Sequence, residues 1–245
     1  MSSVKEIQSV RNACRVLEAI ARTQPVGVSD LARAIGIDKS AAHRLAITLH
    51  AARWVDRTED GRWSIAPMLI STIRESATRS LIGSVRPLLE AARDQTGETA
   101  MLVVPEADRL MIVDVVESSH NLRVSATVGA EMPARRSSAL RALAAHLPAE
   151  ELAPWRRIDP ELTDTALETI RRRGWAFNDG EVIPETGAVG AALCRADGIP
   201  VASLVLCGPS SRFNRERLPA LGDLVARLAA TWPGRGANAA VATTA

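Results

Sequence analysis

Between residues 9 and 50 the apolar positions recur every three or four residues, interrupted by two short polar turns. Val10, Ala13, Val16, Leu17 and Ile20 share one face of a predicted helix over residues 9–23. After the turn QPVG, Leu31, Ala32 and Ile35 mark a second helix. Asp30 sits in its first turn, at the positive end of the helix dipole, and Gly36 takes the C′ position that glycine favours. A third helix follows in GIDKSAAHRLAITLH (36–50), where Asp38 is a natural N-cap and Ala41, Ala42, Leu45 and Leu49 form an apolar stripe. Two short helices joined by a tight glycine turn describe a helix-turn-helix.

The period then changes to two. WVDRTEDGRWSIAP alternates on either side of Asp60-Gly61, a strong hairpin signal. A hairpin directly after such a helix is a wing. Pro67 ends it, and MLISTIRESATRSL reads as an amphipathic linker helix. From Ser84 onward the pattern predicts a helix closed by Gly97, two strands around a polar turn at 106–109, and a strand over LRVSATVG (122–129). It continues with a helix stopped by Pro148, a polar helical stretch over 149–174, and an irregular loop with a short strand. A hairpin turning at Ala196-Asp197-Gly198 and a closing helix with Pro219 in its first turn complete it. The fold class is α+β with a largely antiparallel sheet. The expected domains are a winged helix-turn-helix over 1–67, a linker helix over 68–83, a second domain over 84–232 and a disordered tail over 233–245.

Composition narrows the function classes. At 47% apolar and 24% charged residues the chain reads as a soluble globular protein. Its apolar runs break well before the ~18–20 residues of a membrane span, and the N-terminus lacks a signal-peptide core, so a cytoplasmic location is expected. Three scattered cysteines predict neither a disulfide framework nor a metal cluster. Cys194 and Cys207 read as small buried residues, His120 and His146 lack partners at metal spacing, and no phosphate-binding glycine loop appears, so neither cofactor nor metal nor catalysis is expected. Net charge is only +2, but residues 1–80 hold 12 Lys+Arg against 8 Asp+Glu, while the remainder holds 18 against 20. The positive excess sits on the winged helix, as a polyanion-binding module requires.

A major groove admits an α-helix whose first residues face the base edges. Ser40, Ala41, His43 and Arg44 occupy that position. Arg44 suits a bidentate contact to guanine, His43 a base edge, and Ala41 a thymine methyl. Lys39, Thr48 and the wing residues Arg57 and Arg62 suit phosphates, which position a protein without reading sequence. One head reads few base pairs, so a dimer on a palindromic operator in double-stranded DNA is expected, with the linker helix as its seam.

Five stretches in order resemble the IclR family of bacterial transcriptional regulators: VSDLARAIGIDKSAAHRLAITL, RPLLEAARDQTGETAMLVV, VGAEMPARRSSALRALAAHLP, IRRRGWAFNDGEVIPETGAVGAAL and LCGPSSRFNRERL. The resemblance implies a GAF-like sensor domain after the winged helix, a small-molecule effector (an organic acid or amino-acid-related compound), and dimers or dimers of dimers. It places the effector between the sheet and the helix opened by Ser137, Ser138 and Ala139, with Val124, Met132, Glu181, Ala192, Val205 and Cys207 as walls. Arg135 and Arg136 stand nearby as candidate attractors of an anion. The chain departs from the family at three places. Arg53 replaces the usual glycine after the third helix; an arginine in a left-handed C′ position costs about 1 kcal/mol or more, so a different turn is expected. The family's Pro-x-His-x-Ser/Thr-Ala-x-Gly-Lys pattern reads Pro133, Arg135, Ser137, Ser138, Leu140, Arg141. Its Pro-Gly-Val-Arg loop reads Pro184, Glu185, Thr186, Gly187. Two other readings fit the same residues: an effector-blind architectural DNA-binding protein, and an enzyme with an accessory DNA-binding head.

Overall fold

The computed structural model describes residues 6–235, which divide into two compact units, Met1–Thr78 and Arg79–Ala245. In the first, α1 (Gln8–Thr23), α2 (Val28–Ile35) and α3 (Lys39–Ala51) precede a hairpin of β1 (Val55–Arg57) and β2 (Trp63–Ile65). Val16, Ile20, Leu31, Ile35, Ala46, Leu49, Val55 and Trp63 close one core. The buried stripe of α3 is Ala42, Ala46 and Leu49, while Leu45 and Ala41 are half-buried at its edge. Val10 was expected inside and is 57% exposed. Trp63 exchanges both backbone hydrogen bonds with Val26 (3.0 and 2.9 Å), so the chain after α1 adds a third short pairing to the wing.

The predicted linker helix and the helix expected after residue 84 are one helix, α4 (Pro67–Thr96). Pro87 removes one backbone donor, and its ring crowds the carbonyl four residues back, at Gly83. Burial outweighs that cost, because Val85, Leu89 and Ala92 carry the apolar repeat past the proline and are fully buried against the sheet.

The second unit continues with β3 (Thr99–Glu106), β4 (Arg109–Val116), β5 (Glu131–Met132), α5 (Ser138–Ala144), α6 (Ala149–Ile158), α7 (Asp164–Arg173), β6 (Ala176–Asp179), β7 (Thr186–Cys194), β8 (Pro200–Pro209) and α8 (Leu218–Ala230). The six strands form one antiparallel sheet in the order β5-β4-β3-β8-β7-β6. Alternation sends Leu102, Val189, Leu193, Leu204 and Leu206 to a face covered by α4 and α8. Met101, Val103, Val205 and Cys207 go to the face covered by α5, α6 and α7. Gly222 admits α8 against the sheet: a Cβ there would stand 2.1 Å from the Trp175 ring.

Three expectations change. Residues 122–129 form no strand; the segment is an extended loop held by side chains, with Thr99 donating to the Val124 carbonyl (2.6 Å) and Arg212 to that of Leu122 (2.9 Å). The stretch 149–174 is two helices, because Asp159, fully buried, turns the chain and Thr163 caps α7 by accepting from the Ala166 N–H. Residues 233–235 form a 3-10 turn after buried Trp232, whose Nε1 donates to Ser84 (2.9 Å). The rest of the expected tail, 236–245, lies outside the described residues.

Candidate nucleic-acid interface and effector chamber

α2 ends at Gly36 in the left-handed conformation (φ 69°), and two residues later Asp38 caps α3 by accepting from the Ala41 N–H (2.8 Å). The Ser40 hydroxyl also donates to Asp38 (2.5 Å). Together with the charge of Arg44, these bonds hold the Asp38 carboxyl below its ordinary value. Lys39, Ser40, His43, Arg44 and Thr48 are all exposed on the outer side of α3. Ser40 and Thr48 commit their hydroxyl protons internally, the latter to the Arg44 carbonyl (2.9 Å). Among the described residues, the side chains of Lys39 and Arg44 make no hydrogen bond or ion pair. Lys39 is the first residue of α3, exposed next to the Asp38 cap.

The wing is tied to the third helix through Trp63, 2% exposed. The rings of His43 and His50 meet it edge-on at 6.5 and 6.0 Å, and the Arg57 guanidinium lies 5.8 Å from its centroid. Arg57 is thereby folded back along the hairpin, while Arg62 projects from its turn. The different turn expected at Arg53 does not occur. Arg53 adopts φ 60°, with its N–H on the His50 carbonyl (2.9 Å) and the Trp54 N–H on that of Leu49 (2.9 Å). That is a complete Schellman cap, formed with arginine where glycine is cheaper, because both helix-end carbonyls gain partners.

In the second unit Val124, Met132, Ala139, Val205 and Cys207 belong to one apolar cluster on the α5 side of the sheet. Ser137 caps α5, accepting from the Leu140 N–H (3.1 Å), and Ser138 is buried. The first turn of α5 rests on β7: a Cβ at Gly190 would approach the Ser138 carbonyl to 2.9 Å. Ala192 shares that sheet face but lies outside the cluster, and Glu181 lies apart, paired with Arg141. Burial pushes the Cys207 thiol up to about 12, so it stays protonated.

Arg141, only a departure from a motif in the sequence, is the charged centre of this region. Its side chain, 14% exposed, meets Glu181 (2.7 Å), Glu161 (2.9 Å), the Phe177 carbonyl (2.9 Å) and, farther off, Asp159 (3.9 Å). Hydrogen bonds from Arg141 in turn hold the Glu181 carboxyl below its usual range. Arg136 pairs with Glu161 and so is already neutralised, whereas Arg135 is exposed. Trp63, Arg141 and Thr99 escaped the sequence reading because the partners that give them roles lie tens of residues away.

Comparison with known proteins identifies the family. Residues 9–59 match the IclR helix-turn-helix domain, and residues 76–231 match the bacterial transcriptional regulator IclR C-terminal domain. The chain is 28% identical over 243 residues to the transcriptional repressor IclR of Escherichia coli, covering 91% of this chain and 88% of that protein. It is 28% identical over 234 residues to the HTH-type transcriptional regulator BhcR of Paracoccus denitrificans, covering 89% and 84%. Among solved structures, an IclR-family putative regulator from Rhodococcus sp. superposes with a TM-score of 0.68 at 23% identity, covering 94% and 96%. Pseudomonas aeruginosa HmgR does so at 0.54 and 26%, covering 91% and 96%. These relatives are regulators, not enzymes, and no helix among the described residues is long and apolar enough to cross a membrane. The chain belongs to the IclR family of bacterial transcriptional regulators, with a helix-turn-helix DNA-binding domain at its N-terminus.

Proposed function

We propose that this regulator reads a palindromic operator with α3, as a dimer or dimer of dimers in the cytoplasm, and that a small metabolite in the second unit changes that binding. The observation that carries the reading is the outer side of α3, where Lys39, His43 and Arg44 present donors uncommitted to the core around a capped helix start. Arg44 and His43 face base edges, with the Ala41 methyl beside them. Lys39, Arg57 and Arg62 meet phosphates. Ser40 and Thr48 reach a phosphate only by exchanging their internal bonds. On α4, Ile70 and Ile73 are 47% and 59% exposed and three residues apart, which supplies an apolar seam for a second copy. Selection from random duplexes tests the reading: two inverted half-sites should emerge, about 10 base pairs apart or a multiple of that. Enrichment without symmetry would contradict the paired heads, and no enrichment would favour the architectural alternative.

The effector, a small organic acid or amino-acid-related compound, would lie against Val124, Met132, Ala139, Val205 and Cys207, with Ser137 and Ser138 at the helix start. Ala192 and Glu181 stand at greater remove and would act through β7 and Arg141. The effect is a population shift: a ligand that fits one arrangement of this unit better biases the state that binds DNA. Ser138→Trp, which forces bulk between α5 and the sheet, should abolish the effector response while sparing operator binding.

A further inference from the structure

A cleft of about 410 Å³ opens in the second unit between α5, α7 and β6. Arg141, Arg173, Phe177, Ile170, Thr169 and Glu161 line it, and it shares no residue with the proposed effector chamber. We propose that this cleft binds a small organic carboxylate, whose charge pairs with the Arg173 guanidinium and whose hydrocarbon body lies on Ile170 and Phe177.

The case begins with Arg173. Among the described residues, Arg173 is half-buried and pairs with no carboxylate, whereas Arg135 and Arg172, likewise without one, are exposed. The Arg173 Nε donates to the Trp175 carbonyl, and its guanidinium carbon lies 4.1 Å from the Trp175 centroid and 5.2 Å from that of Phe177. Those contacts fix the guanidinium and leave both terminal nitrogens free, the fork that matches a carboxylate bidentately. Trp175 is itself held, buried, by a hydrogen bond to Asp223 (3.0 Å). No carboxylate among the described residues pairs with Arg173: Glu161 and Glu181 bond to Arg141 instead, and the Arg141 charge repels it. Burial and the Arg141 charge both disfavour protonated Arg173, a penalty that a bound anion would relieve. Ile170 and Phe177 give an apolar floor, and the Thr169 hydroxyl lies on the same side of α7. Because Arg141 projects from α5, an occupant here would bear on the helix whose start the proposed effector would contact.

The test uses the full-length protein labelled with 15N and follows the indole resonance of Trp175, assigned by its disappearance in Trp175→Phe. Benzoate should shift it saturably, and benzamide, equal in shape but neutral, should not. Arg173→Gln should weaken benzoate binding by about tenfold or more, the scale of a lost charge-assisted pair. Arg173→Lys, which keeps the charge but loses the fork, should fall between. The four remaining indole resonances report whether each variant folds. No saturable shift with benzoate, equal shifts with benzamide, or undiminished binding in folded Arg173→Gln would each overturn the proposal. None of these outcomes depends on DNA binding or on the effector chamber.

Discussion

The Trp63 indole of the wing stands edge-on to the His43 imidazole of α3, with ring centroids 6.5 Å apart and planes at 61°. A buried core residue thus abuts a candidate base-reading residue, and the hairpin and the helix are set by the same side chain. Trp63→Ala should destabilise the first unit by about 3–5 kcal/mol, the usual cost of removing a buried tryptophan. Denaturant unfolding measures it; a loss under about 1 kcal/mol would mean that Trp63 does not hold the wing.

Arg53 holds a left-handed conformation at φ 60°. Glycine adopts it without the Cβ clash, so Arg53→Gly should raise stability by about 1 kcal/mol. The readout is the urea midpoint at unchanged slope. An unchanged or lower midpoint would show that the arginine side chain compensates for its backbone.

Arg44 carries the most direct sequence-reading prediction. Arg44→Ala should weaken operator binding by about 1–3 kcal/mol and leave random DNA little changed. Arg62→Ala should instead weaken both alike and lower the salt slope by about 1. Anisotropy titrations at several salt concentrations separate the two. An exchange of the two patterns would reassign which element reads bases.

The Asp38 carboxyl is held below its ordinary value of 3.8 by the Ser40 and Ala41 hydrogen bonds and the Arg44 charge. A depressed folded-state value stabilises the fold above the unfolded value, and that contribution disappears as pH falls through the folded one. Asp38→Asn keeps a capping side chain but does not titrate. Its first unit should lose less stability on acidification than the wild type. Parallel melting curves down the acid limb would refute this if they kept a constant separation.

Arg141→Ala removes the cation shared by Glu161, Glu181 and the fully buried Asp159, leaving only the Arg136 pair on Glu161. Removing one partner of such a network should cost about 3 kcal/mol. Chemical denaturation of the second unit reads it, and near-neutral behaviour would mean that the cluster is solvated.

Short-range signals in the chain announced most of this. The Asp38 cap, the Gly36 turn and the Asp60-Gly61 hairpin are local chemistry, and each appears where periodicity and capping place it. Signals that depend on distant partners did not show. Residues 122–129 alternate like a strand, yet the Val124 and Leu122 carbonyls are taken by Thr99 and Arg212. The break expected between residues 83 and 84 is absent, because the sheet that buries Val85 and Leu89 and carries the helix onward is assembled from residues after them. The arginine centre at Arg141 gathers carboxylates 20 and 40 positions away, so its spacing carried no signal.

The central claim is that α3 and the wing select a DNA sequence. A gel-shift titration of the purified protein against its own upstream intergenic DNA, beside random DNA at the same salt, tests it most directly. Retention of the upstream fragment well above the random control is the predicted result. Equal retention of both across the titration, or none of either at low salt where phosphate contacts are strongest, would contradict it.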